Sequence, residues 1–368
     1  MAFKKAASVE TLTRRASGWD SPDVETWTTG NPFIDWMTGV GGLPKGRMIE
    51  CYGPEGVGKS TLAFQAAAAA WEAYGVPSYL ADFEQTGSAK YFEALGLTRE
   101  GLDWETPDTL EQFFGDVNKI LKKGPKYAYI ILDSVAAART EYDFSGDPNA
   151  TKVADLAKVM NQGLKVLVPL LTATNTTLFL VNQTRDVIDT SGSFMTPAMR
   201  AMAPTDRTPG GKAIKFYASL RIRFTPSTSI KAQKVDPLSG ELQKVEVGRW
   251  VTIKLDKSKV SAPPHRKLRI QIRDGHGFDF VQNLIDAAQT HGFLNRGVGA
   301  KWSITGGIAD EYGPIKGDDL MYGTVVSDDV LREALTAATM ARVMELEALD
   351  TIDEDANEEP ASTGWQDL

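Results

Sequence analysis

The stretch Gly53-Pro54-Glu55-Gly56-Val57-Gly58-Lys59-Ser60-Thr61 constrains the fold of this chain more than any other. It satisfies G-x-x-x-x-G-K-[ST] in the context that pattern requires: Arg47–Tyr52 reads as a short strand before it, and an alanine-rich helix to about Ala73 follows, stopped by Gly75. Glycines let backbone N–H groups curl around phosphate oxygens, and the positive end of the helix dipole adds to the attraction. In that reading Lys59 reaches the β- and γ-phosphates of a nucleotide and Ser60 ligates Mg2+.

The rest of the first half repeats the strand–helix alternation. Ser78–Asp82, Tyr127–Asp133 and Thr177–Asn182 read as buried strands, separated by helical patterns near 87–95, 109–122 and 152–171. Apolar strands alternating with helices predict a mostly parallel sheet covered on both faces. After residue 215 the texture changes to antiparallel strands, at Tyr217–Thr225, Trp250–Leu255 and Lys267–Arg273, with a turn at 236–240. A break at Asp274-Gly275-His276-Gly277 opens a small α+β C-terminal domain with helices near 280–291 and 328–343. The expected division is an N-terminal helix and linker over 1–30, a core over 31–273, a small domain over 274–343, and a disordered acidic tail over 344–368.

Charge is uneven along the 368 residues. Against 40 Lys and Arg stand 48 Asp and Glu, a formal −8, which argues against a chain that binds nucleic acid over its whole surface. The segment 345–368 holds nine acids and no base, so the remainder is close to neutral, and 212–273 holds fifteen bases against four acids. Such a tail is either a solvated end that aids solubility or an internal competitor for the basic segment. The single cysteine, Cys51, permits no internal disulfide, and His265, His276 and His291 offer no zinc spacing. No apolar run has the length of a signal peptide core or a membrane span, so a soluble cytoplasmic protein with no membrane partner is expected.

Three further sites carry candidate chemistry. Asp133 ends an apolar strand, where a carboxylate can hold Mg2+ through water; a strand-ending Asp can equally be a cap. Glu84 follows the strand that ends at Asp82 and can activate an attacking water as a general base, or be a solvent-facing loop acid. Asn182-Gln183 ends another strand, at the place for a γ-phosphate sensor.

Taken in order, these pieces resemble the RecA family of homologous-recombination ATPases. The matching stretches are Asp23-Val24-Glu25-Thr26, Gly41-Gly42-Leu43-Pro44, the phosphate loop, Asp133-Ser134-Val135-Ala136-Ala137 and Asn182-Gln183-x-Arg185. The run Gly210-Gly211-Lys212-Ala213-Ile214-Lys215-Phe216-Tyr217-Ala218-Ser219 and Lys257-Ser258-Lys259 complete the set, and the former is far more specific than a phosphate loop. The resemblance implies a RecA-like core with ATP and Mg2+ as cofactors. It makes Glu84 the catalytic glutamate, Tyr91 the aromatic that stacks on adenine, and Gln183 the γ-phosphate sensor linked to the DNA loops. Lys257 and Lys259 become a pair that reaches the ATP of a neighbouring protomer, and Phe216 a relay between protomers. Residues 2–18 correspond to the helix that docks on the next subunit.

DNA would then meet two loops, about 141–154 and 184–209. Lys158 and Lys165 follow the first. The second carries Arg185, Arg200 and Arg207 for phosphates and Phe194, Met195, Met199 and Met202 for bases, and leads into Gly210, Gly211 and Lys212. The chain departs from the family pattern in a longer second loop, in Ser88 where an acid is common near adenine, and in a base-poor C-terminal domain, marking a divergent member. The implied function is a recombinase that forms helical homo-oligomers on single-stranded DNA, pairs it with homologous duplex DNA and exchanges strands. The competing reading is an ATP-switched oligomeric scaffold without strand exchange. By the resemblance, the acidic tail screens duplex DNA.

Overall fold

A computed structural model of the chain describes residues 24–144, 152–186, 206–235, 241–261, 266–306 and 314–356. Two compact units divide it, one ending at Phe278 and the other beginning at Asp279.

In the first unit the apolar runs pair as the alternation predicts. The strands are β1 (Thr26–Trp27), β2 (Leu43–Pro44), β3 (Met48–Gly53), β4 (Ser78–Asp82), β5 (Leu102–Glu105), β6 (Tyr129–Asp133), β7 (Thr177–Gln183), β8 (Arg185–Asp186) and β9 (Asp206–Arg207), then β10 (Leu220–Val235), β11 (Leu242–Ser258), β12 (Lys267–Arg273) and β13 (Gly277–Phe278). The helices are α1 (Pro32–Met37), α2 (Lys59–Tyr74), α3 (Ala89–Ala94), α4 (Leu110–Lys122), α5 (Glu141–Phe144), α6 (Lys152–Thr174) and α7 (Gly211–Tyr217). Among the described residues the main sheet has the order β13-β12-β11-β10-β3-β7-β6-β4-β5. From β10 to β5 every neighbouring pair is parallel, and from β10 to β13 every pair is antiparallel. The strand leading into the phosphate loop, β3, lies between the two halves.

Alternation along the parallel strands sends neighbouring side chains to opposite faces. Ile49, Cys51, Leu80, Tyr129, Ile131, Phe179 and Val181 join one core with α2. Met48, Tyr79, Ala81, Ile130, Leu132, Leu178 and Leu180 join the other with α4 and α6. Each fully buried large apolar side chain contributes about 1.5–3 kcal/mol by burial alone. Helix α4 shows how sequence selects the layer. Thr109 caps it, its Oγ1 accepting from Gln112 N at 3.1 Å, and Leu110, Phe113, Phe114, Val117 and Leu121 form one buried stripe. Helix α2 ends where Gly75, at φ 64°, donates its N–H to Trp71 O.

The first unit extends past the expected boundary at Arg273. Gly277 and Phe278 pair with β12 as β13, and Gln65 of α2 accepts the Phe278 N–H at 2.8 Å, which ties this strand to the core. At the other end, Thr26 and Trp27 pair with Pro44 and Leu43, so the described part of the expected linker is built into this unit.

The second unit contains α8 (Phe280–Thr290), α9 (Asp318–Ser327) and α10 (Asp329–Ala356), with strands β14 (Leu294–Gly297), β15 (Lys301–Ile304) and β16 (Ile315–Lys316) forming an antiparallel sheet. Leu284, Ile285, Leu294, Trp302, Met321, Val325, Leu331 and Leu335 are buried. Helix α10 continues to Ala356, well into the stretch expected as tail, because Met344–Leu349 supplies helix formers without a breaker. The remaining tail and the N-terminal segment 2–18 lie outside the described residues. No helix among the described residues is long and apolar enough to cross a membrane.

Candidate nucleotide-binding site

The phosphate loop turns out of β3 and enters α2 through Gly58, at φ 87°, a left-handed conformation that favours glycine. A side chain there would also meet Ile272 Cδ1 at 2.2 Å. Lys59 opens α2, is 6% exposed, and donates from Nζ to the Pro54 carbonyl. Burial lowers its pKa, against the opposing pull of Asp133 and Glu84. Glu55, Gly56, Gly58, Lys59, Ser60, Thr61, Glu84, Tyr91 and Gln183 line one cleft of about 300 Å³. The sequence therefore separates these residues widely and the parallel sheet reunites them, since β3, β4, β6 and β7 all end at the same edge.

Asp133 stands at the end of β6, as expected. Burial, the largest influence, pushes its carboxyl up to about 7; a hydrogen bond from Ser60 opposes the shift, and the charges of Glu84 and Asp82 add to it. Its Oδ1 is buried without a hydrogen-bond partner. A buried carboxylate oxygen left open beside a serine hydroxyl fits Mg2+, which takes few protein ligands and completes its shell with phosphate oxygens and water. Among the described residues no group of three or more His, Cys, Asp or Glu forms a self-sufficient metal cage, in keeping with that sparse ligation.

Glu84 is held by two donors on one oxygen. Ser134 Oγ donates to Oε1 at 2.6 Å and Gln183 Nε2 donates to the same atom at 3.2 Å. The Phe83 and Glu84 N–H groups both bond to the Asp133 carbonyl, which fastens the loop after β4 to the end of β6. Oε2 has neither of these bonds, leaving it as the face for a water. Tyr91 of α3 shares a hydrogen bond with Thr61 Oγ1 at 2.7 Å, which sets its ring at the cleft wall.

The pair Asn182-Gln183 separates into two roles. Gln183 faces the cleft, whereas Asn182 is fully buried, donating to Glu50 Oε1 at 2.9 Å and to the Pro209 carbonyl at 3.1 Å. Glu50 also takes Arg221 Nε at 2.6 Å, so the buried carboxylate is paired on both oxygens. Arg249, Arg273 and Asp274 line the cleft too, and sequence reading missed all three. Asp274 was taken only as a break between domains, and nothing local to β11 marks Arg249 as a neighbour of the phosphate loop.

Lys257 and Lys259 are outside the lining of this cleft. Lys257 Nζ donates to the Lys215 and Phe216 carbonyls, and Lys259 Nζ donates to the Phe216 carbonyl at 2.6 Å. Both thus satisfy the negative end of α7. Phe216 is 69% exposed, with Lys259 Nζ 5.2 Å from its ring centre. The Lys257 pKa is lowered, first by burial and then by repulsion from Lys259 and Arg221. The lysine pair and Phe216 therefore form one patch.

Of the residues expected at DNA, Lys158 and Lys165 are exposed on α6 and Lys212 is exposed in the first turn of α7. Gly210 and Gly211 start α7. A side chain on Gly211 would approach Ala157 Cβ to 2.8 Å, so that glycine is explained by close helix packing. Arg185 pairs with Arg207 across the two-residue ladder of β8 and β9, which brings the ends of the second loop together. Phe194, Met195, Met199, Arg200 and Met202 lie outside the described residues, as does 145–151 of the first loop. In the second unit, Arg296 is committed to Asp318 through two bonds of 2.8 and 2.7 Å.

A sequence model of the RecA N-terminal domain matches residues 5–279. The chain belongs to the RecA family. Protein RecA of Sulfurovum sp. strain NBC37-1 is 36% identical over 259 residues, covering 70% of this chain and 68% of the relative. The mitochondrial DNA repair protein recA homolog 3 of Arabidopsis thaliana is 34% identical over 272 residues, 74% of this chain and 59% of the relative. Protein RecA of Kineococcus radiotolerans is 33% identical over 275 residues, 75% and 72% respectively. The match to RecA-family sequences thus centres on the first unit and the cleft it contains.

Proposed function

We propose that this chain is an ATP-dependent recombinase, forming helical filaments on single-stranded DNA and exchanging strands with homologous duplex DNA. The observation that carries the reading is the separation of two cationic sites. Lys59 is buried among carboxylates in the cleft, while Lys257 and Lys259 form, with exposed Phe216, a patch outside it. Such a patch is useful to hydrolysis when presented to the nucleotide of another protomer, where positive charge stabilises the transferring phosphoryl group.

In this mechanism Ser60 and Asp133 hold Mg2+, and the metal, when bound, neutralises charge building on the phosphates. Lys59 orients the β- and γ-phosphates. Glu84 takes the proton of the attacking water on Oε2 while Ser134 and Gln183 fix Oε1. Gln183 faces a choice between Glu84 and a γ-phosphate oxygen. Its neighbour Asn182 is bonded to Pro209, so nucleotide state and the 187–205 segment share one short stretch of chain.

The test is ATP hydrolysis without DNA, with single-stranded DNA and with duplex DNA across a salt series, alongside electron microscopy with a slowly hydrolysed ATP analogue. Stimulation by single-stranded DNA that falls with salt, together with filaments, supports the reading. Full turnover without DNA and no filaments would sink it in favour of an ATP-switched scaffold. Deleting 190–207 should abolish DNA stimulation in the recombinase and leave turnover unchanged in a scaffold.

A further inference from the structure

The cleft holds a second cation that the phosphate loop does not supply. Arg249 of β11 donates from Nη1 to the Gly56 carbonyl at 3.0 Å, and its Nη2 lies 3.9 Å from the Asp274 carboxylate and 3.8 Å from Glu246. Asp274 follows β12 and is fixed by its N–H to the Val247 carbonyl at 3.1 Å. Its side chain is 53% exposed and lines the same cleft as Ser60 and Tyr91. The Tyr91 hydroxyl registers that carboxylate: burial raises its pKa, the bond with Thr61 opposes this, and the Asp274 charge adds to the rise.

The wall therefore carries two functions at its two ends. Lys59 and the loop N–H groups suit a triphosphate, and Tyr91 suits a base. The sugar of a nucleotide joins those two parts, so it must cross the stretch of wall where the Arg249–Asp274 pair stands. A carboxylate repels phosphate but matches a vicinal diol, because it has only acceptor oxygens and the diol offers two O–H donors. Acidic side chains on ribose hydroxyls serve the same purpose in dinucleotide-binding folds.

We propose that Asp274, positioned by Arg249, accepts hydrogen bonds from the ribose hydroxyls of the bound nucleoside triphosphate and so makes the cleft select ribonucleotides over deoxyribonucleotides. Arg249 is a positioning residue: it tethers Asp274 to the phosphate loop and offsets a negative charge beside the triphosphate. The proposal rests on reading this cleft as an ATP site.

The experiment is equilibrium dialysis of the full chain with radiolabelled ATP and Mg2+ in the absence of DNA, competed by ATP, 2′-deoxy-ATP, 3′-deoxy-ATP and inosine triphosphate. The unsubstituted chain should prefer ATP to 2′-deoxy-ATP by about tenfold in Kd, the scale of one hydrogen bond to a charged group. Asp274→Asn and Asp274→Ala should bring that ratio to within about twofold of one, and Arg249→Ala should lower it while Arg249→Lys keeps part of it. Equal binding of ATP and 2′-deoxy-ATP by the unsubstituted chain overturns the proposal, as does a preference that survives in Asp274→Ala. A change in the ATP to inosine triphosphate ratio with the sugar ratio intact would put the carboxylate on the base and also overturn it. Failure to bind ATP at all takes down the ATPase reading as well, which distinguishes it from ATP bound without sugar preference.

Discussion

Lys59 and the Lys257–Lys259 pair are both positioned cations, yet their surroundings are opposite. Lys59 is buried beside Asp133 and Glu84, so its charge is balanced within one subunit. Lys257 and Lys259 rest on the carbonyls of residues 215 and 216, where the end of α7 fixes their direction without supplying a counter-charge. A buried cation with local carboxylates serves the site it lines. A pair held only by backbone carbonyls remains able to neutralise an incoming anion, and it needs a second molecule to provide one.

The largest effect should come from Lys59→Ala, which removes the only lysine lining the described cleft and should lower DNA-stimulated phosphate release by a factor on the order of a thousand or more. Lys257→Ala or Lys259→Ala should cut turnover by about a hundredfold or more while equilibrium ATP binding stays intact. The contrast breaks if these variants lose ATP affinity as Lys59→Ala does. Mixing Lys59→Ala with Lys257→Ala subunits sharpens it, because the former can lend its lysine pair to the latter's intact cleft; no recovery of phosphate release would count against a shared site. Glu84→Gln keeps the bonds to Oε1 and should reduce the hydrolytic step about a hundredfold with ATP affinity within a few fold, measured by single-turnover kinetics.

A smaller effect concerns pH. Burial raises Asp133 from 3.8 to about 7 in the folded chain, so the folded state keeps a proton that the unfolded state has lost in that interval. Stability of the Mg2+-free protein that derives from this proton is fully present below about pH 4 and is lost as pH rises through about 7. Asp133→Asn should flatten that part of a denaturation series across pH. A slope unchanged by the substitution would show that other groups set it.

Much of the first unit was legible because its signals are local. The phosphate loop, its flanking strand and the cap of α4 each depend on residues within a few positions of one another. The site was legible where a motif ends a strand, as at Asp133 and Gln183. It was not legible where adjacent residues of similar chemistry point to opposite faces: Asn182 and Gln183 look alike in sequence, but one meets Glu50 and the other meets Glu84. Arg249 was invisible for a different reason. Its contact with Gly56 spans 193 residues and depends on the register of β11 against its neighbours, which includes irregularities between Pro226 and Ser229 and between Ile230 and Lys231 on the paired strand. Glu50 was read simply as part of a strand, although full burial makes it dependent on Arg221 and Asn182.

The place of β3 in the sheet also orders events during synthesis. Its two partners come from residues 178–183 and 220–223, so the strand that launches the phosphate loop waits for chain made long after it. Loop closure over such separations is slow, whereas the β10–β12 meander pairs with near neighbours. Nascent chains halted before Leu220 should therefore fail to retain ATP, and those that have released the meander should gain it. The phosphate loop, early in the gene product, becomes competent late.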